Sequence, residues 1–159
     1  MNRLLETNQE APFFRAKNQD NQLVSLNDFS GEKNLVLYFY PKDDTPGCTI
    51  EANQFTALAS EFAAADTVVL GVSKDDCDSH KAFISKYSLS VQLLADTSGE
   101  LCENYGVWQE VEKDGVKKWK IVRSTFVINK DGILISVEYG VNPEGHAQAV
   151  LDLINNFDS

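Results

Sequence analysis

No Cys-x-x-Cys pair occurs in this chain, which excludes the dithiol chemistry of a thioredoxin-type disulfide reductase. Only three cysteines are present, Cys48, Cys77 and Cys102, an odd number that points to reactive or buried thiols and not to a disulfide framework. With two histidines and no second Cys/His pair, the spacing Cys77-x-x-His80 is too little to make a zinc site. Phosphate-binding glycine loops are missing too, so no metal or organic cofactor is expected. No apolar run approaches membrane-spanning length, and residues 1–9 lack the apolar core of a secretory signal; the expected address is the cytoplasm, with no membrane partner. Basic residues are few, 14 against 24 acidic ones, and the net charge of −10 argues against nucleic acid as a partner. Arginine is confined to Arg3, Arg15 and Arg123, so the placement of Arg123 carries information.

What is present suits one domain over residues 1–159, with 43% hydrophobic and 24% charged residues in the proportions of an ordinary globular protein. The chain is organised around Leu35–Phe62. Leu35 to Tyr40 is a β-branched and aromatic run without polar alternation, which predicts a strand buried on both faces and ended by Pro41. After a charged turn, Thr45-Pro46-Gly47-Cys48 has the order of a helix start, with a hydroxyl residue at the N-cap and proline at the first helical position. Cys48 then falls at the third helical position, where unpaired N–H groups and the positive end of the helix dipole favour an anion. Cys48, Ala52, Phe55, Ala59 and Phe62 follow at helical spacing, so the sulfur shares the face that points toward the sheet.

The rest of the chain alternates strands and helices before ending in a hairpin and a helix. Pro12 to Val24 reads as extended or turn-linked, and Ser25 to Asn34 as a helical turn and loop. Thr67 to Val72 is a second buried strand, and Cys77, His80, Ile84 and Tyr87 recur at helical spacing after it. Val91 to Leu94 is a short strand, and Ser98 to Tyr105 a short helix stopped by Gly106. Lys113-Asp114-Gly115 is a hairpin-type turn, and Ser124–Asn129 and Gly132–Glu138 are two strands joined through Lys130-Asp131-Gly132. A closing helix, Gly145 to Phe157, places His146, Val150, Leu153 and Phe157 on one face. This order predicts an α/β fold with a mixed central sheet flanked by helices.

Pro41-x-x-x-Thr45-x-x-Cys48 resembles the signature of the peroxiredoxins, and the longer run YFYPKDDTPGCTIEA resembles their bacterioferritin comigratory protein, or peroxiredoxin Q, branch. The resemblance extends through APFF, SLNDFSGEKN, GVSKD, SHKAF, YGVW and RSTFVINKDG. It implies a thioredoxin-like fold with peroxiredoxin additions, a monomer, and a peroxidase that attacks hydrogen peroxide or an organic hydroperoxide with the Cys48 thiolate and leaves a sulfenic acid. By the same resemblance Arg123, just before the strand STFVIN, stands beside the sulfur and binds thiolate and peroxide. Thr45 and the N–H groups near Gly47 and Cys48 hold the peroxide oxygens, and Pro41 shields the sulfur. Glu51 suits either of two roles, orienting Arg123 or complementing the first helical turn.

Ionisation alone does not make such an enzyme fast. An unperturbed cysteine, pKa about 8.5, is roughly 3% ionised at neutral pH, so full ionisation gains about 30-fold at most. Nucleophilicity falls with pKa at a Brønsted slope of about 0.4 to 0.5, which removes most of that gain. The remainder must come from stabilising the charge that develops on the departing oxygen. Members of this branch carry a resolving cysteine five residues after the first, or directly after the phenylalanine of SHKAF; here those positions are Asn53 and Ile84. Cys77 is then the candidate resolving residue if the Cys48 helix unwinds locally, and Cys102 is the expected core thiol. Otherwise an external thiol, thioredoxin, glutaredoxin or glutathione, reduces the sulfenate directly. The alternative from another class is a redox-regulated binding or chaperone protein with Cys48 as sensor, which has less need of Pro41, Thr45 and Arg123 together.

Overall fold

Strand β3, Asn34–Phe39, is buried along its whole length, and the other elements pack around it. The structure, a computed structural model, describes residues 4–157, so the first three and last two positions of the expected domain lie outside the described residues. Because successive strand side chains point to opposite faces, β3 feeds two cores at once. Leu35, Leu37 and Phe39 join Phe14, Cys102, Tyr105 and Phe126 on one face. Val36, Tyr38 and Tyr40 join Cys48, Phe55, Phe62, Phe83 and Val150 on the other.

Beside β3 run β4, Thr67–Ser73, in parallel and β8, Ser124–Ile128, antiparallel. The full sheet has seven strands in the order β2 (Leu23–Ser25), β1 (Arg15–Asn18), β5 (Gln92–Ala95), β4, β3, β8 and β9 (Leu134–Tyr139). Its outer members are the hairpin of β1 and β2 on one side and β9 on the other, with β5 between β1 and β4. A separate two-stranded ribbon, β6, Trp108–Lys113, and β7, Val116–Ile121, turns through Asp114 and Gly115. Both turn residues have left-handed φ, 55° and 80°, which is why Asp-Gly stands there. The expected turn is therefore part of a ribbon outside the main sheet. Parallel β3, β4 and β5 with antiparallel β8 and β9, flanked by helices, make the mixed α/β sheet that the order of elements predicted, thioredoxin-like as the resemblance implied.

Helix α1, Pro46–Ala57, begins as expected with Thr45 at the N-cap and proline in the first turn. It is shorter than the sequence pattern implied. The chain breaks regular geometry at Leu58 and resumes as α2, Ala59–Ala64, which still buries Phe62. Helix α3, Cys77–Tyr87, buries His80 and Phe83, so its inner face turns toward Phe83 and leaves Ile84 and Tyr87 at its margin. Helix α4, Glu100–Asn104, closes against the other face through Leu101 and Cys102. In α5, His146–Phe157, His146 and Val150 are buried as expected, but the stripe continues through Ala147, Leu151 and Ile154 in place of Leu153 and Phe157, a rotation of about 60° from the expected one. Apart from His146 that stripe is aliphatic, and Phe157 in the last turn is 56% exposed.

Candidate active site

The turn Pro41 to Thr45 carries the chain from the end of β3 to the start of α1, and it delivers Cys48 to the third position of the helix with the sulfur inward. Cys48 is 2% exposed and packs with Tyr38, Tyr40, Ala52 and Phe55. Arg123 stands in the two-residue gap between β7 and β8, where its carbonyl accepts from the N–H groups of Gly140 and Val141. From there its Nη2 lies 3.4 Å from Cys48 Sγ. The sequence-predicted pair thus meets across 75 residues of chain.

The glycine before the cysteine is explained by space. A Cβ at Gly47 would stand 3.0 Å from Arg123 Nη2 and 3.5 Å from Pro143 Cγ. Any larger residue would push the guanidinium away from the helix start, so Gly47 permits the approach that gives the sulfur its cation. Pro143, in the loop before α5, borders the site and carried no signal in the sequence.

Thr45 occupies the N-cap but does not cap. Its Oγ1 donates to the carbonyl of Lys42 at 2.8 Å, and among the described residues no side chain bonds the first-turn N–H groups of Gly47 and Cys48. Those groups have no partner within the helix either. They face the same end of the helix as the sulfur, beside a hydroxyl whose lone pairs remain free to accept. Pro41 is exposed at the end of the strand.

Glu51, one turn beyond Cys48, is fully buried, and its Oε1 accepts from Arg123 Nη1 at 2.8 Å. Of the two roles open to it in the sequence, this geometry supports orienting Arg123, whose two-pronged head bridges carboxylate and sulfur. Burial pushes the Glu51 carboxyl up to about 7, against the lowering effect of Arg123. The same burial raises the Tyr38 phenol well above its ordinary value, reinforced by Glu51.

The other two cysteines lie elsewhere. Cys102 is wholly buried in α4, and burial, with Asp96 adding to it, holds its thiol in the protonated form. Cys77 opens α3, half-buried, with Sγ 3.9 Å from Asn21 Oδ1 in the β1–β2 turn. In the sheet order that places it over β1 and β5, two to three strand spacings from β3, roughly 10–14 Å. His80, three residues on, turns inward to Asp43 and the Leu94 carbonyl, so Cys77 and His80 share no site.

A buried thiol at an uncapped helix N-terminus, with a carboxylate-anchored guanidinium on its sulfur and a thioredoxin-like sheet behind it, defines a thiol-dependent peroxidase of the peroxiredoxin type. The comparisons agree. The family model described as AhpC/TSA family matches residues 7–137, and the chain belongs to that family. Among curated proteins it is 48% identical over 148 residues to a putative peroxiredoxin bcp of Helicobacter pylori, covering 93% of this chain and 97% of that one. It is 39% identical over 152 residues to peroxiredoxin Bcp of Bacillus subtilis, covering 96% of each. Among solved structures, a bacterioferritin comigratory protein of Xanthomonas campestris, studied for its alkyl peroxide reduction activity, superposes with a TM-score of 0.91 at 34% identity, over 97% of this chain and all of that one. Peroxidase chemistry, with a thiol as reductant, is the behaviour of this family, and the sensor reading is not favoured.

Proposed function

We propose that Cys48 is the peroxidatic residue and that the observation carrying this is Arg123 Nη2 at 3.4 Å from its sulfur, at the open end of α1. The Cys48 thiolate attacks the terminal oxygen of a hydroperoxide. An S–O bond forms, the O–O bond breaks, and the departing oxygen takes a proton and leaves as water or an alcohol. Cys48 is left as the sulfenic acid. The first-turn N–H groups of Gly47 and Cys48, the Thr45 hydroxyl and Arg123 hold the two oxygens in line with the sulfur and stabilise the charge that builds on the leaving one. Pro41 keeps bulk water from the sulfur.

Hydrogen peroxide and organic hydroperoxides are the substrates; the alkyl peroxide activity of the Xanthomonas campestris relative supports the second class. A thiol then attacks the sulfenic sulfur and releases water, and a second thiol reduces the resulting disulfide. Thioredoxin or another cellular thiol supplies both, with Cys77 as an internal resolving thiol only if α1 and α3 open. The chain acts in the cytoplasm as a single-domain monomer. No helix among the described residues is long and apolar enough to cross a membrane.

The test is single-turnover oxidation followed by intact mass with a sulfenate trap. The expected result is a trapped adduct on Cys48 and no reaction in Cys48→Ser. A Cys48→Ser protein that consumes peroxide at the parent rate sinks the assignment.

A further inference from the structure

A second buried polar cluster lies between the loop that precedes α1 and the start of α3 and plays no part in the steps above. It is centred on Asp43, in the middle of the loop that holds Pro41 and Thr45. The Asp43 side chain is 5% exposed and that of His80 is 0%. Asp43 Oδ1 accepts from the Tyr40 hydroxyl at 2.5 Å, and Oδ2 accepts from Ser79 Oγ at 2.8 Å and faces His80 Nδ1 at 2.8 Å. The Asp43 N–H donates to Asp75 Oδ2 at 2.8 Å, and that oxygen also accepts from Ser73 Oγ at 2.7 Å. Asp43, Asp75 and His80 offer ligand atoms within 4.8 Å of one another, a spacing a cation could use. Those atoms are already engaged in hydrogen bonds, so the cluster is a joint and not a vacant site.

Its geometry shows what is joined. His80 Nε2 meets the Leu94 carbonyl at 2.8 Å, and a carbonyl only accepts, so Nε2 carries a proton. The ring is therefore fixed to β5 at one nitrogen and to Asp43 at the other. The next residue, Asp44, sits at a left-handed φ of 58° and reaches the far end of the same helix, with Lys86 Nζ at 2.7 Å and the Tyr87 hydroxyl at 2.5 Å. Two successive aspartates thus tie the loop to the first and last turns of α3. Thr45 Oγ1, bonded to the Lys42 carbonyl within the loop, moves with it.

We propose that Asp43, gripped by His80, is a positioning residue of the peroxide site: it fixes the loop so that Thr45 meets the substrate, without touching Cys48 or Arg123. This rests on the peroxidase reading of Cys48. A displacement of about 1 Å in a positioned group can cost on the order of 100-fold in rate. Alkylation of Cys48 by a neutral reagent needs only the thiolate and access to it, so it is insensitive to where Thr45 stands.

The experiment measures two rate constants on the reduced protein, oxidation by hydrogen peroxide and alkylation by iodoacetamide, for the parent, Asp43→Ala, His80→Ala, the double variant and Ser79→Ala. Folding is checked by thermal melting. Asp43→Ala and His80→Ala are each expected to slow oxidation by about 10- to 100-fold while alkylation stays within about twofold. The double variant should be no slower than the worse single one, because the two residues act as a unit. Ser79→Ala removes one bond from Asp43 at the margin of the cluster and keeps the test alive if the other variants do not fold; a loss of about threefold or more, with the same split, is expected. Oxidation and alkylation falling in parallel would overturn the proposal, as would additive effects or a parent-like oxidation rate. A parent protein that does not react with peroxide at all defeats the peroxidase reading instead, which keeps the two failures distinct.

Discussion

Glu51 meets Arg123 through one carboxylate oxygen, at 2.8 Å, and its other oxygen is buried with no hydrogen-bond partner among the described residues. A carboxylate so placed pins the guanidinium while remaining poorly solvated itself. The arrangement favours catalysis over stability, since Arg123 is held against Cys48 by a group that burial pushes toward its neutral form.

The sign of the resulting pH dependence follows from the shift. Burial raises the Glu51 carboxyl from its ordinary value of 4.5 to about 7, so between those values the folded protein keeps a proton that the unfolded chain has released. Stability therefore falls as pH rises through that window, by about 3 kcal/mol for a shift of this size. In Glu51→Gln the titration is gone. Urea unfolding at about pH 5 and about pH 8 should show the parent losing more stability than the variant between the two, by about that amount. Equal losses in the two proteins would place the carboxyl's titration elsewhere.

Arg123 does two jobs with one fork, so lysine should not replace it. A single ammonium on a flexible stem cannot hold Glu51 at 2.8 Å and Cys48 at 3.4 Å together. Arg123→Lys and Arg123→Ala are expected to slow Cys48 oxidation by more than about tenfold in stopped-flow assays. The assignment of Arg123 fails if the lysine variant reacts at the parent rate.

Thr45→Val keeps the shape of the side chain and the helix start, which has no side-chain cap to lose. Any effect must then come through the hydroxyl that bonds the Lys42 carbonyl. A slowing of peroxide reaction by more than about tenfold is expected with a nearly unchanged melting temperature. A parent-like stopped-flow rate would reduce Thr45 to a loop residue.

Gly47→Ala separates space from backbone freedom. Alanine favours a helix over glycine, yet its Cβ would meet Arg123 Nη2 at 3.0 Å. The expected outcome is a protein at least as stable as the parent that oxidises several-fold more slowly, read by thermal melting beside stopped-flow rates. An unaffected rate would show that the guanidinium has room to yield.

The parts of this site legible in the sequence are those that local chemistry dictates. Thr45-Pro46-Gly47-Cys48 announces a helix start because N-cap, proline and first-turn preferences act over four consecutive residues. Leu35 to Tyr40 announces a buried strand because no polar residue interrupts it. What was hidden depends on the third dimension. Asp43 and His80 are 37 residues apart and lie on a loop and a helix that only the sheet brings together. Glu51 stayed ambiguous because a carboxylate suits both a first helical turn and an arginine partner, and burial decides between them. In α5 two faces overlap at His146 and Val150, and spacing alone could not say that the one ending at Ile154 would face the sheet.

Resolution of the sulfenate is the step that the missing cysteines at Asn53 and Ile84 leave open, and the position of Cys77 makes it testable. A disulfide needs Cα atoms within about 7 Å, and Cys77 lies over β1 and β5 beside Asn21, two to three strands along the sheet from β3, which leads into the Cys48 helix. The Asp43 and Asp44 contacts also hold α3 in place, so its opening must break Ser79, His80, Lys86 and Tyr87 from the loop. Treatment with one equivalent of hydrogen peroxide and a sulfenate trap is therefore expected to give the Cys48 adduct in wild type and in Cys77→Ser alike, by intact mass. That outcome makes the protein a one-cysteine enzyme that depends on an external thiol. If wild type instead loses two mass units (about 2 Da for a disulfide) and resists the trap while Cys77→Ser is trapped, then Cys77 resolves, and the contacts of Asp43 and Asp44 with α3 must give way in every catalytic cycle.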